Sequence, residues 1–267
     1  MPELPDVEGF KRVLAKSALR KTIDGVVVSD ARILGDLSAR KFAACLRGAK
    51  LIAVKRHGKH LMASVDRGGW LILHFGMSGA LYFVRTLDEE PPFTRVRFDF
   101  ANDGSLAYTN KRMIGHVGLV DDVADFIAQE KLGPDALDPK FDFQAFKKAV
   151  AGIRRNVKSV LMDQQIIAGI GNIFSDEILF QARVNPLARM DELPPTELER
   201  LFLEMRKVLN TAIAYGAGSE QFVDRMPEGA LLPERKKGGR CPRCGSPLKM
   251  LKLGGRTAYC CPQCQNC

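Results

Sequence analysis

No stretch of this chain is apolar for long enough to cross a bilayer. Runs such as Trp70-Leu71-Ile72-Leu73 fall far short of the roughly 20 residues that a spanning helix needs. A secretory leader is missing as well: the first residues carry acids at Glu3, Asp6 and Glu8, where such a leader has basic residues followed by an apolar core. The expectation is a cytoplasmic protein with no membrane partner. Acidic residues vanish from 235–267, while eight basic ones remain there: Arg235, Lys236, Lys237, Arg240, Arg243, Lys249, Lys252 and Arg256. Nearly all of the net charge of +9 therefore sits in that tail. A concentrated basic tail suits a nucleic-acid surface, and a merely solubilising tail is the alternative. With 46% hydrophobic residues over 267 positions, the chain is globular and long enough for one large domain or two medium ones.

The cysteines decide between those two readings of the tail. Six of the seven fall within it: Cys241, Cys244, Cys260, Cys261, Cys264 and Cys267. Cys241-x2-Cys244 and Cys261-x2-Cys264, sixteen residues apart, have the spacing of a zinc ribbon, in which two tight knuckles supply four thiolates to one structural Zn²⁺. Between them, 248–253, Gly254-Gly255 and 256–259 read as strand, turn and strand, a β-hairpin. A disulfide framework is the alternative, and it fits a cytoplasmic chain poorly. Spacing leaves open whether Cys260 or Cys267 replaces a member of the second pair.

The N-terminus reads Met1-Pro2-Glu3-Leu4-Pro5-Asp6-Val7-Glu8. With Met1 removed, Pro2 presents a secondary amine, and an α-amino group titrates near pH ~8, so part of it is a free nucleophile at neutral pH. An amine beside the carboxylates of Glu3 and Glu8 is equipment for Schiff-base chemistry; an ordinary lead into a helix is the alternative. Helical spacing over 6–18 (Val7, Phe10, Val13, Leu14, Ser17) places Asp6 as a cap or first-turn acid. Short β-type runs follow at 25–28, 51–56, 60–65, 70–75, 81–84, 94–100 and 105–109, the pattern of a sandwich or barrel. After Leu132-Gly133-Pro134 the pattern turns helical, at 143–152, 157–164, 172–183 and 195–215.

Five segments occur in order: residues 1–8, Arg56-His57-Gly58-Lys59, His74-Phe75-Gly76-Met77-Ser78-Gly79, Asp163-Gln164 with Ala168-Gly169-Ile170-Gly171-Asn172-Ile173, and the cysteine-rich end. This set resembles the formamidopyrimidine-DNA glycosylase / endonuclease VIII family of base-excision repair enzymes. The resemblance implies an α+β fold in three parts. These are an N-terminal helix plus two-layered β-sandwich over 1–130, a helix–two-turns–helix domain over 131–232, and a zinc-ribbon hairpin over 233–267. It implies a monomeric DNA glycosylase with AP lyase activity on damaged double-stranded DNA, which flips the damaged nucleotide out to reach it.

By the same resemblance, the Pro2 amine attacks C1′ and Glu3 moves protons. Lys59 contacts phosphate and assists catalysis, and Asn172, at a helix start, binds phosphate together with Arg256. Met77 fills the space left by the extruded nucleotide, and Arg112 faces the orphaned base. His74 is expected to pack rather than catalyse, and Phe10 and Phe75 to be core. The sequence departs from the formamidopyrimidine branch at Ile114, usually phenylalanine, and at Lys111 and Met113. Asp6 stands for the usual glutamate in the lesion pocket, and 216–235 is shorter than the loop that caps 8-oxoguanine. A strict 8-oxoguanine specialist is therefore not expected. The competing function is a non-catalytic zinc-ribbon nucleic-acid-binding protein, for which an intact Pro2, Glu3 and Lys59 has no use.

Overall fold

The computed structural model describes residues 1–101 and 103–267, and its chain contacts divide into two units: Met1–Pro2 with Val7–Glu130, and Glu3–Asp6 with Lys131–Cys267. Helix α1 (Leu4–Ser17) thus begins in one unit and continues in the other. No helix among the described residues is long and apolar enough to cross a membrane.

The first unit is a two-layered antiparallel sandwich. In chain order it contains β1 (Ile23–Val28), α2 (Ala39–Leu46), β2 (Leu51–His57), β3 (His60–Val65), β4 (Trp70–His74), β5 (Gly79–Val84), β6 (Thr94–Phe100), β7 (Ser105–Asn110), β8 (His116–Val120) and α3 (Val123–Gln129). One sheet runs β1-β6-β7-β5 and the other β2-β3-β4-β8. Strand β6 alternates as a half-buried strand does, with Thr94, Val96, Phe98 and Phe100 buried and the residues between them partly exposed. Val96, Phe98, Leu106 and Tyr108 from one sheet share a core with Leu61, Ala63, Leu71 and Leu73 from the other, and Val7 and Leu14 of α1 join it. Phe75 is buried there and its ring lies 4.4 Å from that of Phe10. The short helices α2 and α3 escape sequence periodicity; local caps form them, Ser38 accepting from Lys41 N and Asp122 accepting from Ala124 and Asp125 N.

In the second unit, α4 (Phe143–Val150), α5 (Val157–Leu161), α6 (Asn172–Ala182) and α7 (Pro195–Tyr215) surround a core that includes Phe146, Leu161, Phe174, Ile178, Leu201 and Met205. Pro195 opens α7 and Gly216, at φ 66°, closes it in the left-handed conformation that glycine tolerates. The hairpin of β9 (Lys249–Leu253) and β10 (Arg256–Cys260) turns through Gly254-Gly255, both at positive φ, and is followed by the single turn α8 (Pro262–Gln265). Phe180 of α6 packs with Leu231, Cys241 and Cys261, seating this finger on the helices.

Candidate functional site

Glu3 is fully buried, and its carboxylate accepts three backbone N–H groups at the start of α6: Gly171 at 2.7 Å, Ile173 at 2.8 Å and Phe174 at 3.1 Å. These are donors a helix leaves unsatisfied at its N-terminus, where the macrodipole favours negative charge. A Cβ on Gly171 would run into the Glu3 carboxyl, so glycine is required for the approach. An internal carboxylate thus takes three of the N–H groups at this helix start. Pro2, half-buried, immediately precedes Glu3.

Asp6, in the first turn of α1, receives the Glu3 N–H at 2.8 Å and the Ser219 N–H at 3.1 and 3.2 Å on its two oxygens. Burial pushes its carboxyl up to about 6, against the pull of those hydrogen bonds. Gly218 leaves no room for a side chain against Asp6, and its N–H donates to Gln221 O. The shorter carboxylate at this position thus holds the 217–221 segment to the turn that carries Glu3.

Lys59 lies in the β2–β3 turn beside Gly58, which takes a positive φ, and is largely buried. Arg56 fixes that turn: its Nε donates to Glu8 at 3.0 Å and its Nη1 to Gly58 O at 3.2 Å. Glu8 also accepts from Lys11. Although burial works to raise the Glu8 carboxyl, these cations hold it below its ordinary range. The second carboxylate of the N-terminus is thus a strut for the Lys59 turn.

Met77, Arg112 and Ile114 are brought together on two adjoining loops of the first unit, and all three are exposed. Ser78 Oγ accepts the Arg112 N–H at 3.0 Å. Gly76, at φ 56°, passes so close to the Ile114 carbonyl that a Cβ would stand 2.6 Å from it. Beneath them the buried Asn110 donates to Phe75 O, and Tyr108 donates to His74 O. An aliphatic tip at Ile114, a thioether at Met77 and a guanidinium at Arg112 project from a buttressed base. His74 packs as expected, its ring stacked 4.7 Å from that of His60.

Lys158 was not singled out by the sequence and is fully buried. Its Nζ donates to Asp176 at 2.6 Å, Ser175 Oγ at 2.7 Å and Asn172 O at 2.9 Å. Burial lowers the ammonium pKa, and the Asp176 carboxylate opposes that shift. The other Asp176 oxygen accepts from Arg235 Nε at 2.7 Å and Tyr259 N at 3.1 Å. Arg235 Nη2 and Asn172 Nδ2 both donate to Thr257 O. One buried network therefore fixes Asn172 and strand β10, at whose first residue the exposed Arg256 reaches the Met162 sulfur at 3.6 Å.

The thiols of Cys241, Cys244, Cys261 and Cys264 all lie within 4.8 Å of one another, the one such group of three or more potential ligands among the described residues. Cys244–Cys261 and Cys241–Cys264 sulfurs stand 3.5 and 3.9 Å apart. A tetrahedron of thiolates around zinc, with Zn–S near 2.3 Å, has edges of about 3.8 Å, so the quartet fits one Zn²⁺. The ligand register is settled because Cys260 and Cys267 are bonded to each other. A disulfide thus exists in the tail beside the metal site and not in place of it.

Comparison with known proteins gives a consistent result over the chain. Residues 1–117 match the formamidopyrimidine-DNA glycosylase N-terminal domain, 132–224 the formamidopyrimidine-DNA glycosylase H2TH domain, and 238–266 the zinc finger found in FPG and IleRS. The chain is 32% identical to a formamidopyrimidine-DNA glycosylase of Pelotomaculum thermopropionicum, over 100% of this chain and 99% of that one. It is 35% identical to that of Heliobacterium modesticaldum, over 100% of both. Among solved structures, Lactococcus lactis formamidopyrimidine-DNA glycosylase non-covalently bound to DNA containing an AP site superposes with a TM-score of 0.88 at 27% identity, covering 98% of this chain and 99% of that one. The Lactococcus lactis enzyme in complex with a THF-DNA and an inhibitor gives 0.89 at 27% identity, covering 99% of each. With all three domains matched in order and curated relatives aligned from end to end, the chain belongs to the formamidopyrimidine-DNA glycosylase family.

Proposed function

We propose that this DNA glycosylase of base-excision repair excises oxidised or ring-opened bases through a Schiff base on Pro2 and then cuts the strand by β,δ-elimination. The observation that carries this reading is the placement of Glu3: next in chain to the amine, buried, and oriented by three N–H donors. Removal of Met1 frees the Pro2 nitrogen, whose lone pair attacks C1′ of the flipped nucleotide as the bond to the base breaks. The Pro2 nitrogen loses its proton and the ring oxygen gains one as the sugar opens to an iminium. Glu3 is the group held to relay that proton. Loss of a C2′ proton towards the iminium expels the 3′ phosphate, and loss of a C4′ proton through the resulting conjugated system expels the 5′ phosphate. Lys59, Asn172 and Arg256 bind phosphate, and Met77, Arg112 and Ile114 occupy the gap in the duplex. The quartet of cysteines would hold Zn²⁺, which supplies structure to the finger and no step of the reaction. The Asp6 tether to Ser219 supports a lesion range not restricted to 8-oxoguanine. The setting that suits these properties is a monomer acting on damaged duplex DNA in a bacterial-type cytoplasm.

The test is borohydride trapping on DNA that contains an abasic site. A covalent adduct is expected for the mature chain, and none when an uncleaved extension blocks Pro2. An adduct that survives the block would remove Pro2 from the mechanism.

A further inference from the structure

The finger holds two more cysteines than one zinc ion uses. Six thiols lie between Cys241 and Cys267; four form the zinc quartet and the remaining pair, Cys260 and Cys267, is joined. We propose that Cys260 and Cys267 are a reversible dithiol–disulfide couple, a redox modification site that exchanges with low-molecular-weight thiols and their disulfides and, when oxidised, clamps the second zinc knuckle.

The position of the bond carries the argument. Cys260 ends β10 and Cys267 follows α8, seven residues later, so the closed ring contains both ligands of the second knuckle, Cys261 and Cys264. A single helical turn has no stability of its own. Few other bonds hold this one: Gln265 Oε1 accepts from Cys261 N, Gln265 Nε2 donates to Val184 O, Asn185 donates to Asn266 O and Lys249 donates to Cys267 O. A covalent closure removes conformations in which Cys264 swings away from the metal. It also withdraws two thiols that, when free, compete with Cys261 and Cys264 for the same ion.

Access is asymmetric. Cys260 is fully buried, whereas Cys267 is partly exposed. An incoming thiolate therefore attacks the Cys267 sulfur; the S–S bond breaks and Cys260 leaves with the electron pair, taking a proton. A second small thiolate attacks the mixed disulfide on its outer sulfur and releases Cys267 as thiolate, which is protonated in turn. Two electrons enter the protein and one small-molecule disulfide is formed. Oxidation by a glutathione-type disulfide runs the same two steps in reverse.

The experiment uses the zinc-loaded full chain, equilibrated either with a glutathione-type thiol or with its disulfide. It is then alkylated with a maleimide without denaturant and analysed by mass spectrometry. In the oxidised sample Cys45 is expected to react, the exposed Cys244 being protected as a zinc ligand; in the reduced sample Cys267 reacts as well. Zinc transfer to a chelating dye is expected to be about tenfold slower from the oxidised protein, the order that closing a short loop supports. Cys267→Ser should release zinc at the faster rate under both conditions, and Cys45→Ser should keep the difference. Should Cys260→Ser fail to fold, the Cys267→Ser pair of measurements still decides. Equal labelling of Cys267 in both samples, or equal zinc transfer rates, would overturn the proposal. Neither readout involves base excision, so the result stands apart from the chemistry assigned to Pro2.

Discussion

Glu3 caps a helix whose N-cap, Gly171, lies 168 residues further along the chain, its two carboxylate oxygens taking the N–H groups of Gly171, Ile173 and Phe174. The residue beside Pro2 is thus fixed by the helix carrying Asn172, and a change on either side should register on both. Glu3→Gln keeps an acceptor oxygen but replaces the other with a donor facing N–H groups. The expected cost is about 1–3 kcal/mol in stability, with base excision lost and damaged-DNA binding retained. Gly171→Ala forces a Cβ into the carboxyl and should impair stability and excision together. Denaturant unfolding and single-turnover excision measure the two effects. A Glu3→Gln protein with parental turnover would refute the proton-relay role.

The buried pair Lys158–Asp176 gives a larger expected effect. Removing one partner strands the other charge without solvent, which costs about 3–5 kcal/mol. Asp176→Asn should therefore lower the unfolding midpoint sharply, and Lys158→Met, which leaves Asp176 paired with Arg235, should lower it less. The damage should reach DNA affinity, because Asp176 also holds Arg235 and Tyr259 of the finger. Calorimetry with a DNA-binding titration is the check. A double replacement by apolar residues should recover part of the loss, since it removes both ends of the buried pair, although Arg235 still loses its carboxylate partner.

Much of this architecture was legible in the residues, and the exceptions share a cause. The switch from period-2 to helical spacing after Pro134 and the two Cys-x2-Cys knuckles are local patterns, and both appear where local spacing puts them. Helix α7 and the Gly254-Gly255 hairpin are equally local. The partner of Glu3 is not, because no spacing rule joins residues 3 and 171. Lys158 reads as an ordinary helical lysine until α6 is packed over it. Glu8 reads as a carboxylate near an amine, and only the fold shows it spent on Arg56. Strand β8 is five residues long, includes a glycine and lies at a sheet edge, too weak a pattern to separate from a loop.

The four histidines follow the same lesson. They are scattered at 57, 60, 74 and 116, yet the register His57↔His60, His60↔His74, His74↔His116 lines them up across the second sheet. Burial, followed by the positive field of neighbouring His and Lys59, pushes His60 down to about 3; burial, followed by Lys59 and His116, pushes His74 down to about 4. In the unfolded chain both titrate near 6.5. Below that pH the unfolded state binds protons that the folded state refuses, so stability is complete above about 6.5 and falls as the pH drops towards 4. The loss should be on the order of a few kcal/mol. His60→Phe, which keeps a ring against Phe126, should remove about half of that dependence, one of two coupled groups. Unfolding midpoints between pH 4 and 7.5 would show it, and an unchanged slope would exclude the row as the source.

The two loops that carry Met77, Arg112 and Ile114 should separate extrusion from lyase chemistry. Met77→Ala and Ile114→Ala remove only exposed side chains, so stability should change by less than about 0.5 kcal/mol. Excision of a base from intact duplex should fall severalfold, while strand cutting at a preformed abasic site, which has no base to hold out, should change little. Ser78→Ala breaks the bond to Arg112 N and should give a milder version of the same split. Equal losses on both substrates would place these residues in general binding instead.

Arg256 and the zinc quartet test the finger at two scales. Arg256→Ala should weaken binding to every DNA sequence alike and flatten the salt dependence by about one unit of slope, the signature of one lost phosphate contact. Stripping the metal goes further. With the quartet unbound, the knuckle at Cys241 and Cys244 is left to backbone turns such as Gly245 N to Cys241 O, and the hairpin loses its base. DNA affinity should then collapse while the sandwich, whose core includes no finger residue, stays folded. Far-UV circular dichroism and a filter-binding titration before and after chelation distinguish the two. Trapping of Pro2 by a small aldehyde and borohydride should persist in the metal-free protein, because the amine itself needs no finger. A loss of that adduct on chelation would mean that the zinc domain supports the reacting end of the chain directly.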